Sequence, residues 1–270
     1  MILDPHNRRL KVLDADPDLV RHLLPFLDQL VADRGDGTFT KLTVYGRGGG
    51  ASVWADLGLR IEATIRGFYA DASDAVLAVR YTDPTRAVDP EAARHDAIVE
   101  AARLRGSKSR SLDAGLRLRR AEEGEAQRLV HLLRATFDDY PTALEESTLR
   151  RALSEDRTRI HVVEDEAGAL LAMASAEIDR SRINAEITDC VTLPAARGRG
   201  LMGTLIRSFE SPLREEGIVD LYTIARAGIA GMNHAFAGCG YAYTGRLIQN
   251  CRMPQGFESM NVWCRRTSAS

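Results

Sequence analysis

The stretch from Asn184 to Gly203 constrains this chain more than any other. It reads N-A-E-I-T-D-C-V-T-L-P-A-A-R-G-R-G-L-M-G. A strand runs into Pro194, a turn carries Arg197, Gly198, Arg199 and Gly200, and a helix begins that is expected to span Arg199–Glu216 and to stop at Gly217. A strand entering a helix through glycine and arginine suits a pyrophosphate. Small residues let the backbone approach closely, several N–H groups point the same way, and the helix N-terminus favours negative charge. The turn is not a dinucleotide G-x-G-x-x-G, because no βαβ unit with a downstream ribose-binding acid accompanies it. It is not a Walker loop either, since no Gly-Lys-Ser/Thr follows.

Charge and cysteine usage narrow the classes further. The net charge of −2 argues against a chain that lives on phosphate backbones, so no nucleic-acid partner is expected. Cys190, Cys239, Cys251 and Cys264 form no C-x-x-C pair and no zinc spacing, which fits reduced, buried thiols and no metal site. The longest small-and-apolar run, Ala169–Ala176, is far short of the ~18 residues of a membrane span. A cytoplasmic protein without membrane association is expected, and self-association into a homodimer is compatible with the sequence.

A polar stretch, Arg105–Ser111, follows a short helix expected over Pro90–Leu104 and reads as a linker. Three segments are therefore expected: an N-terminal α/β domain over 1–88, a helix and linker over 89–112, and a larger domain over 113–270. Within the last, hydrophobic periodicity gives the order β-α-α-β-β-β-α-β-α-β-β. The N-terminal part echoes its end. Trp54–Ile61 parallels Phe236–Tyr243 at an offset of 182, Arg34-Gly35 matches Glu216-Gly217 at the same offset, and Lys41–Tyr45 parallels Asp220–Ile224 with a small deletion. These matches suggest a degenerate half-copy without the glycine turn.

The segment Arg197-x-x-Gly200-x-Met202 resembles the acetyl-CoA loop of GNAT-type N-acetyltransferases, with Met202 at a position usually small and Gly203 next to it. The resemblance spans roughly residues 115–266 and implies an α/β (α+β) fold with a mixed, mostly antiparallel sheet flanked by helices. It also implies acetyl-CoA as co-substrate. On it, Arg197, Gly198, Arg199, Gly200, Met202 and Gly203 would hold the cofactor, Asn233 would contact it, and backbone near Val191 and Thr192 would face the thioester. Glu186–Asp189, Leu221–Ala227, Gly231–Asn233, Gly256–Trp263 and Ile65–Tyr69 together resemble the β-lysine N6-acetyltransferase branch. That branch implies acetyl transfer to the terminal amine of β-lysine, giving a zwitterion used as a compatible solute. Another small amine (a polyamine, an aminoglycoside, a peptide N-terminus) and a weakly active acyl-CoA sensor stay open.

The chemistry names further candidates. An alkyl ammonium has a pKa of ~10.4, so a base or a desolvating pocket must free the amine. Glu186, in an Ala185-Glu186-Ile187 context, is the candidate base. Strand alternation is expected to place it on one face with Thr188 and Cys190, leaving Asp189, the second candidate, on the other. The position where many members of the family carry an acidic tyrosine holds Phe236, so Tyr222 is the candidate acid. For the acceptor, Asp138, Asp139 and Tyr140 suit an ammonium, and Arg226, Arg246, Asn250 or Asn261 a carboxylate.

Overall fold

The computed structural model describes residues 1–33, 39–106, 111–136, 146–155 and 157–267. Arg34-Gly35, residues 107–110 of the polar stretch, and Asp138, Asp139 and Tyr140 lie outside the described residues. Strands β1 (Ile2–Asp4) and β2 (Arg9–Ala15) precede helix α1 (Pro17–Asp33). Strand β3 (Lys41–Arg47), helix α2 (Ala51–Asp56) and strands β4 (Arg60–Ile65) and β5 (Ala75–Tyr81) complete the N-terminal half. Helix α3 (Ala92–Leu104) leads to β6 (Arg117–Arg120), α4 (Ala126–Arg134), α5 (Glu146–Ser154), β7 (Thr158–Glu164), β8 (Leu170–Asp179) and β9 (Asn184–Thr192). The chain ends with α6 (Leu201–Ser208), α7 (Glu210–Glu215), β10 (Asp220–Arg226), α8 (Ala230–Gly238), β11 (Ala242–Met253) and β12 (Gly256–Arg266).

The long helix expected over Arg199–Glu216 is two helices. It starts at Leu201 because Gly200, at φ +79°, cannot continue a right-handed helix upstream. It breaks at Phe209 because Pro212 has no N–H to give the Ser208 carbonyl one turn back.

Among the described residues, twelve strands join one sheet in the order β1-β2-β3-β5-β4-β11-β12-β10-β9-β8-β7-β6, and only β2–β3 and β9–β10 pair in parallel. Helices α3, α6, α7 and α8 cover one face of the C-terminal strands over Ala174, Ala176, Ile187, Leu205, Phe209 and Trp263. Helices α1 and α2 cover one face of the N-terminal strands over Leu10, Val12, Val44 and Trp54. Helices α4 and α5 cover the other face of the C-terminal strands only at the β7–β8 end, over Ile160, Val162 and Met173, and the faces left uncovered in the two halves meet each other. Phe68, in the β4–β5 loop, lies 5.6 Å from the Tyr45 ring on β3 and 5.9 Å from the Tyr222 ring on β10. In a flat sheet those strands would stand roughly 24 Å apart, so the sheet curls until its uncovered face encloses a shared apolar core.

The halves are joined in the sheet at β4–β11, where Gly245 opposes Ala63. Gly245 has φ +144°, and a Cβ there would overlap the Glu62 carbonyl oxygen and Ala63. A side chain would therefore force the seam apart. Gly245→Val is expected to lower the unfolding free energy by about 2–5 kcal/mol, read as a fall in the urea midpoint. Gly168→Ala, at φ +79° with open space around it, should cost only about 1 kcal/mol.

Candidate active site

Strands β9 and β10 lie side by side only at Asn184–Asp220, Ala185–Leu221 and Glu186–Tyr222. Beyond that, β9 follows β8 and β10 follows β12. The divergence has a local cause. The β8–β9 register jumps from Ser175–Thr188 to Met173–Val191, so β9 carries an extra residue, and Asp189 takes φ +46°. Aspartate tolerates this region better than most residues, and such a bulge bends its strand. Past the fork, the facing N–H and C=O groups of β9 and β10 do not bond one another.

The glycine turn sits at the open end of this fork. Val191 is 1% exposed and packs with Met173, and the Thr192 carbonyl accepts from Arg197 Nε at 3.3 Å. Gly198 and Gly200 both have φ near +80°, and a Cβ at Gly198 would meet nothing, so the turn is wide and open. Arg199 Nε is held by Asp113 at 2.9 Å. Leu201 is buried and anchors α6, whose first N–H groups have no intrahelical partner. Met202 packs against the core, and a Cβ on Gly203 would meet the Arg207 guanidinium and then Cys239, just past α8. What these two residues can offer a ligand is backbone N–H.

On the face of the sheet away from α6, a pocket of about 320 Å³ lies between α5 and the strands. Glu177, Glu186, Tyr222, Thr148, Arg151 and Arg157 line it. Glu177 and Glu186 are direct cross-strand partners. Burial, and then the neighbouring Glu177 charge, push the Glu186 carboxyl up to about 7, against Lys11, a hydrogen bond from the Tyr222 hydroxyl, and Arg9. Burial, followed by the Glu186 charge, raises the Tyr222 hydroxyl well above its ordinary value.

Asp189 is placed otherwise than alternation implies. Its carboxylate accepts from Ser175 Oγ at 2.7 Å, and burial pushes it up to about 6. Ala174 and Ala176 face the helices, so Ser175, and Asp189 with it, face the Glu186 side, while Cys190 turns into the helix-side core. The bulge reverses the expected faces of both residues.

Five other sequence candidates are drawn away from the site. Asn233 is fully buried. Its Nδ2 donates to the carbonyls of Arg226 (3.0 Å) and Ile229 (2.9 Å), and its Oδ1 accepts from Asn261 Nδ2 (2.8 Å) and Trp263 Nε1 (2.9 Å). It pins the turn between β10 and α8 and has nothing left for a cofactor. Asn261 is buried in the same network and also accepts from Arg246 Nε at 2.9 Å. Arg246 is further committed to Asp96 and Asp89. Arg226 is held in a bidentate pair by Glu258 at 2.7 and 2.6 Å. Asn250 is 3% exposed, and its carbonyl accepts from Arg9. Phe236 is core. Sequence reasoning missed Glu177, Arg151 and Arg157. The Glu177–Glu186 pairing was available only from the register of the β8–β9 hairpin.

Comparison with known proteins agrees with this geometry. The family model described as "Acetyltransferase (GNAT) family" matches residues 126–241. The N-acetyltransferase YodP of Bacillus subtilis is 31% identical over 97% of this chain and 94% of its own length. The beta-lysine N(6)-acetyltransferase of Methanosarcina mazei is 43% identical over 60% of this chain, and the chain spans 59% of that relative's length. The ribosomal-protein-S18-alanine N-acetyltransferase of Escherichia coli has a similar fold, with TM-score 0.50, 16% identity, and coverage of 57% of this chain and 96% of that one.

The placement of Asn233 has a measurable consequence. Asn233→Ala strands the Asn261 and Trp263 donors in the core and should cost about 2–4 kcal/mol of unfolding free energy in urea titration. A change within about 0.5 kcal/mol, the ordinary size at an exposed contact, would contradict the buried network.

Proposed function

The chain belongs to the GNAT family of acetyltransferases, and from that premise we propose that it moves the acetyl group of acetyl-CoA to the terminal amine of β-lysine, 3,6-diaminohexanoate. The observation that carries this reading is the Glu186 carboxylate at the fork, set in an acceptor-sized pocket on the face opposite α6. The M. mazei relative and a second beta-lysine N(6)-acetyltransferase, from Methanococcus maripaludis and 29% identical over 56% of this chain, support the choice of acceptor. The product, N6-acetyl-β-lysine, loses one positive charge and becomes a net-neutral zwitterion, which suits a compatible solute.

The residues fit acetyl-CoA. The wide turn at Gly198 and Gly200, the first N–H groups of α6, and Arg197 suit a pyrophosphate, and the unladdered backbone of the fork suits the pantetheine arm. The bound donor supplies an activated thioester. The protein's own contribution is to the acceptor. The pocket strips water from the ammonium, and Glu186, ionised in part at neutral pH, takes its proton directly or through one water. The hydrogen bond from Tyr222 orients Glu186; once Glu186 has taken the ammonium proton, the Tyr222 hydroxyl can turn its proton to the departing thiolate and be reprotonated from Glu186. Asp189, tied to Ser175, is the lesser candidate for the base.

We further propose that the N-terminal half is a degenerate half-copy of the fold. The run β3-α2-β4-β5 takes the sheet order β3-β5-β4, as β10-α8-β11-β12 takes β10-β12-β11. Between β2 and α1 only Asp16 intervenes, so there is no turn there for a second cofactor.

Three outcomes test the reading. Because the base is the carboxylate form, the rate should rise with pH through about 7 as Glu186 loses its proton. Glu186→Gln should abolish that rise and lower kcat by ~10²–10⁴ at neutral pH, with Asp189→Asn milder. Gly200→Asp should abolish CoA binding in calorimetry while the fold survives. In steady-state assays β-lysine should exceed spermidine and aminoglycosides in kcat/KM by about tenfold or more. A preferred polyamine would retain the acetyl transfer and reject the acceptor, and absence of turnover with every amine would favour an acyl-CoA sensor.

A further inference from the structure

The register of the sheet lays four polar side chains of the acceptor pocket in one row. Thr158 on β7 opposes Glu177 on β8, Glu177 opposes Glu186 on β9, and Glu186 opposes Tyr222 on β10. Residues directly opposite on neighbouring strands share a face, and successive members stand about one strand spacing apart, ~4.8 Å. All four line the pocket. The row therefore runs from the fork, at Tyr222 and Glu186, outward to β7. Helix α5 lies over it, with Thr148, Arg151 and Ala152 at helical spacing along the lining. Arg157, just before β7, lines the outer end, and its carbonyl accepts from Ile178 N at 2.7 Å.

The charges on this lining sort by what they already hold. Asp179 is occupied by Ser181 and Arg182. Glu155 has Arg151 at 3.8 Å, a loose and exposed pair. Among the described residues, no cation lies within ion-pair distance of Glu177 or Glu186, and no carboxylate within that distance of Arg157. Like charges directly opposite in a sheet are destabilising. A ligand with two cationic groups spaced to meet the two carboxylates offsets that repulsion.

We infer that Glu177 binds the second ammonium of the acceptor, one strand away from the amine that reacts at Glu186, and that the acceptor carboxylate lies beyond it, towards Arg151 and Arg157. The inference rests on the proposed acetyl transfer to β-lysine. Along the row come the base, the second carboxylate and the arginines. Along 3,6-diaminohexanoate come the terminal amine, the second amine and the carboxylate, in the same order. Arg226 and Arg246, the cations named from sequence, are held by Glu258 and by Asp89 and Asp96, whereas Arg151 and Arg157 line the pocket itself. A triamine would bring a third cation against those arginines, so the outer end selects against it.

The test uses the full-length protein and three acceptors: β-lysine, 6-aminohexanoate, which lacks the second amine, and 1,4-diaminopentane, which lacks the carboxylate. Glu177→Gln should lower kcat/KM about tenfold or more for β-lysine and 1,4-diaminopentane, chiefly through KM, and leave 6-aminohexanoate within about twofold. At least one of Arg151→Met and Arg157→Met should lower it for the two carboxylates and spare 1,4-diaminopentane. Glu177→Asp, which keeps the charge, should retain part of the preference. A damaged fold, or an altered charge on Glu186, changes all three rates alike and cancels in their ratios. An equal effect of Glu177→Gln on all three acceptors, or none, overturns the assignment of Glu177. Arginine variants that leave the ratios unchanged overturn the place of the carboxylate. Should the wild-type protein acetylate spermidine and ignore β-lysine, the choice of acceptor fails, and the place of the carboxylate with it. Glu177 is then judged by whether Glu177→Gln costs spermidine more than n-butylamine, which has a single amine. Turnover with no amine overturns both the acetyl transfer and the row.

Discussion

The bulge at Asp189 is the constraint on which the rest of the site depends. Without the extra residue, β9 and β10 could continue in parallel, their backbone groups would saturate each other, and nothing could enter between them. With it, the strands part just beyond Glu186 and Tyr222. The slot, the glycine turn at its open end and the carboxylate at its closed end follow from one left-handed residue. Ser175 holds Asp189 in that conformation through its carboxylate, so the most conspicuous acid near the fork acts first as a structural clasp.

The N-terminal half shapes the other side. By curling over the uncovered face it sets Phe68 edge-on against Tyr222, the cross-strand neighbour of Glu186. Burial is the largest cause of the raised Glu186 pKa, and this contact brings a half with no cofactor turn of its own to the edge of the site. The polar network from Asp89 through Arg246, Asn261 and Asn233 does a related task on the helix side, tying the start of α3 to the turn after β10.

Much of this was legible in the residues. The strand bounds of β9, the glycine turn and the acid at Glu186 follow from local pattern, because turn and strand preferences act over a few residues. The face of Asp189 was not legible, since one bulge residue inverts the alternation for everything after it. The roles of Asn233, Arg246 and Asn261 were misread for a different reason. Polar side chains in strands and at helix starts resemble ligand contacts until burial shows them bonded to one another.

A crystal structure with a bisubstrate analogue, CoA joined through its sulfur and an acetyl linker to the terminal nitrogen of β-lysine, examines the two-faced geometry most directly. The pantetheine arm should lie in the fork between β9 and β10. The bridging nitrogen should be within reach of Glu186, directly or through one water, and the diamino acid should occupy the pocket beside Glu177. A pantetheine arm outside the fork, or an amino acid portion on the α6 and α8 side of the sheet, would contradict it.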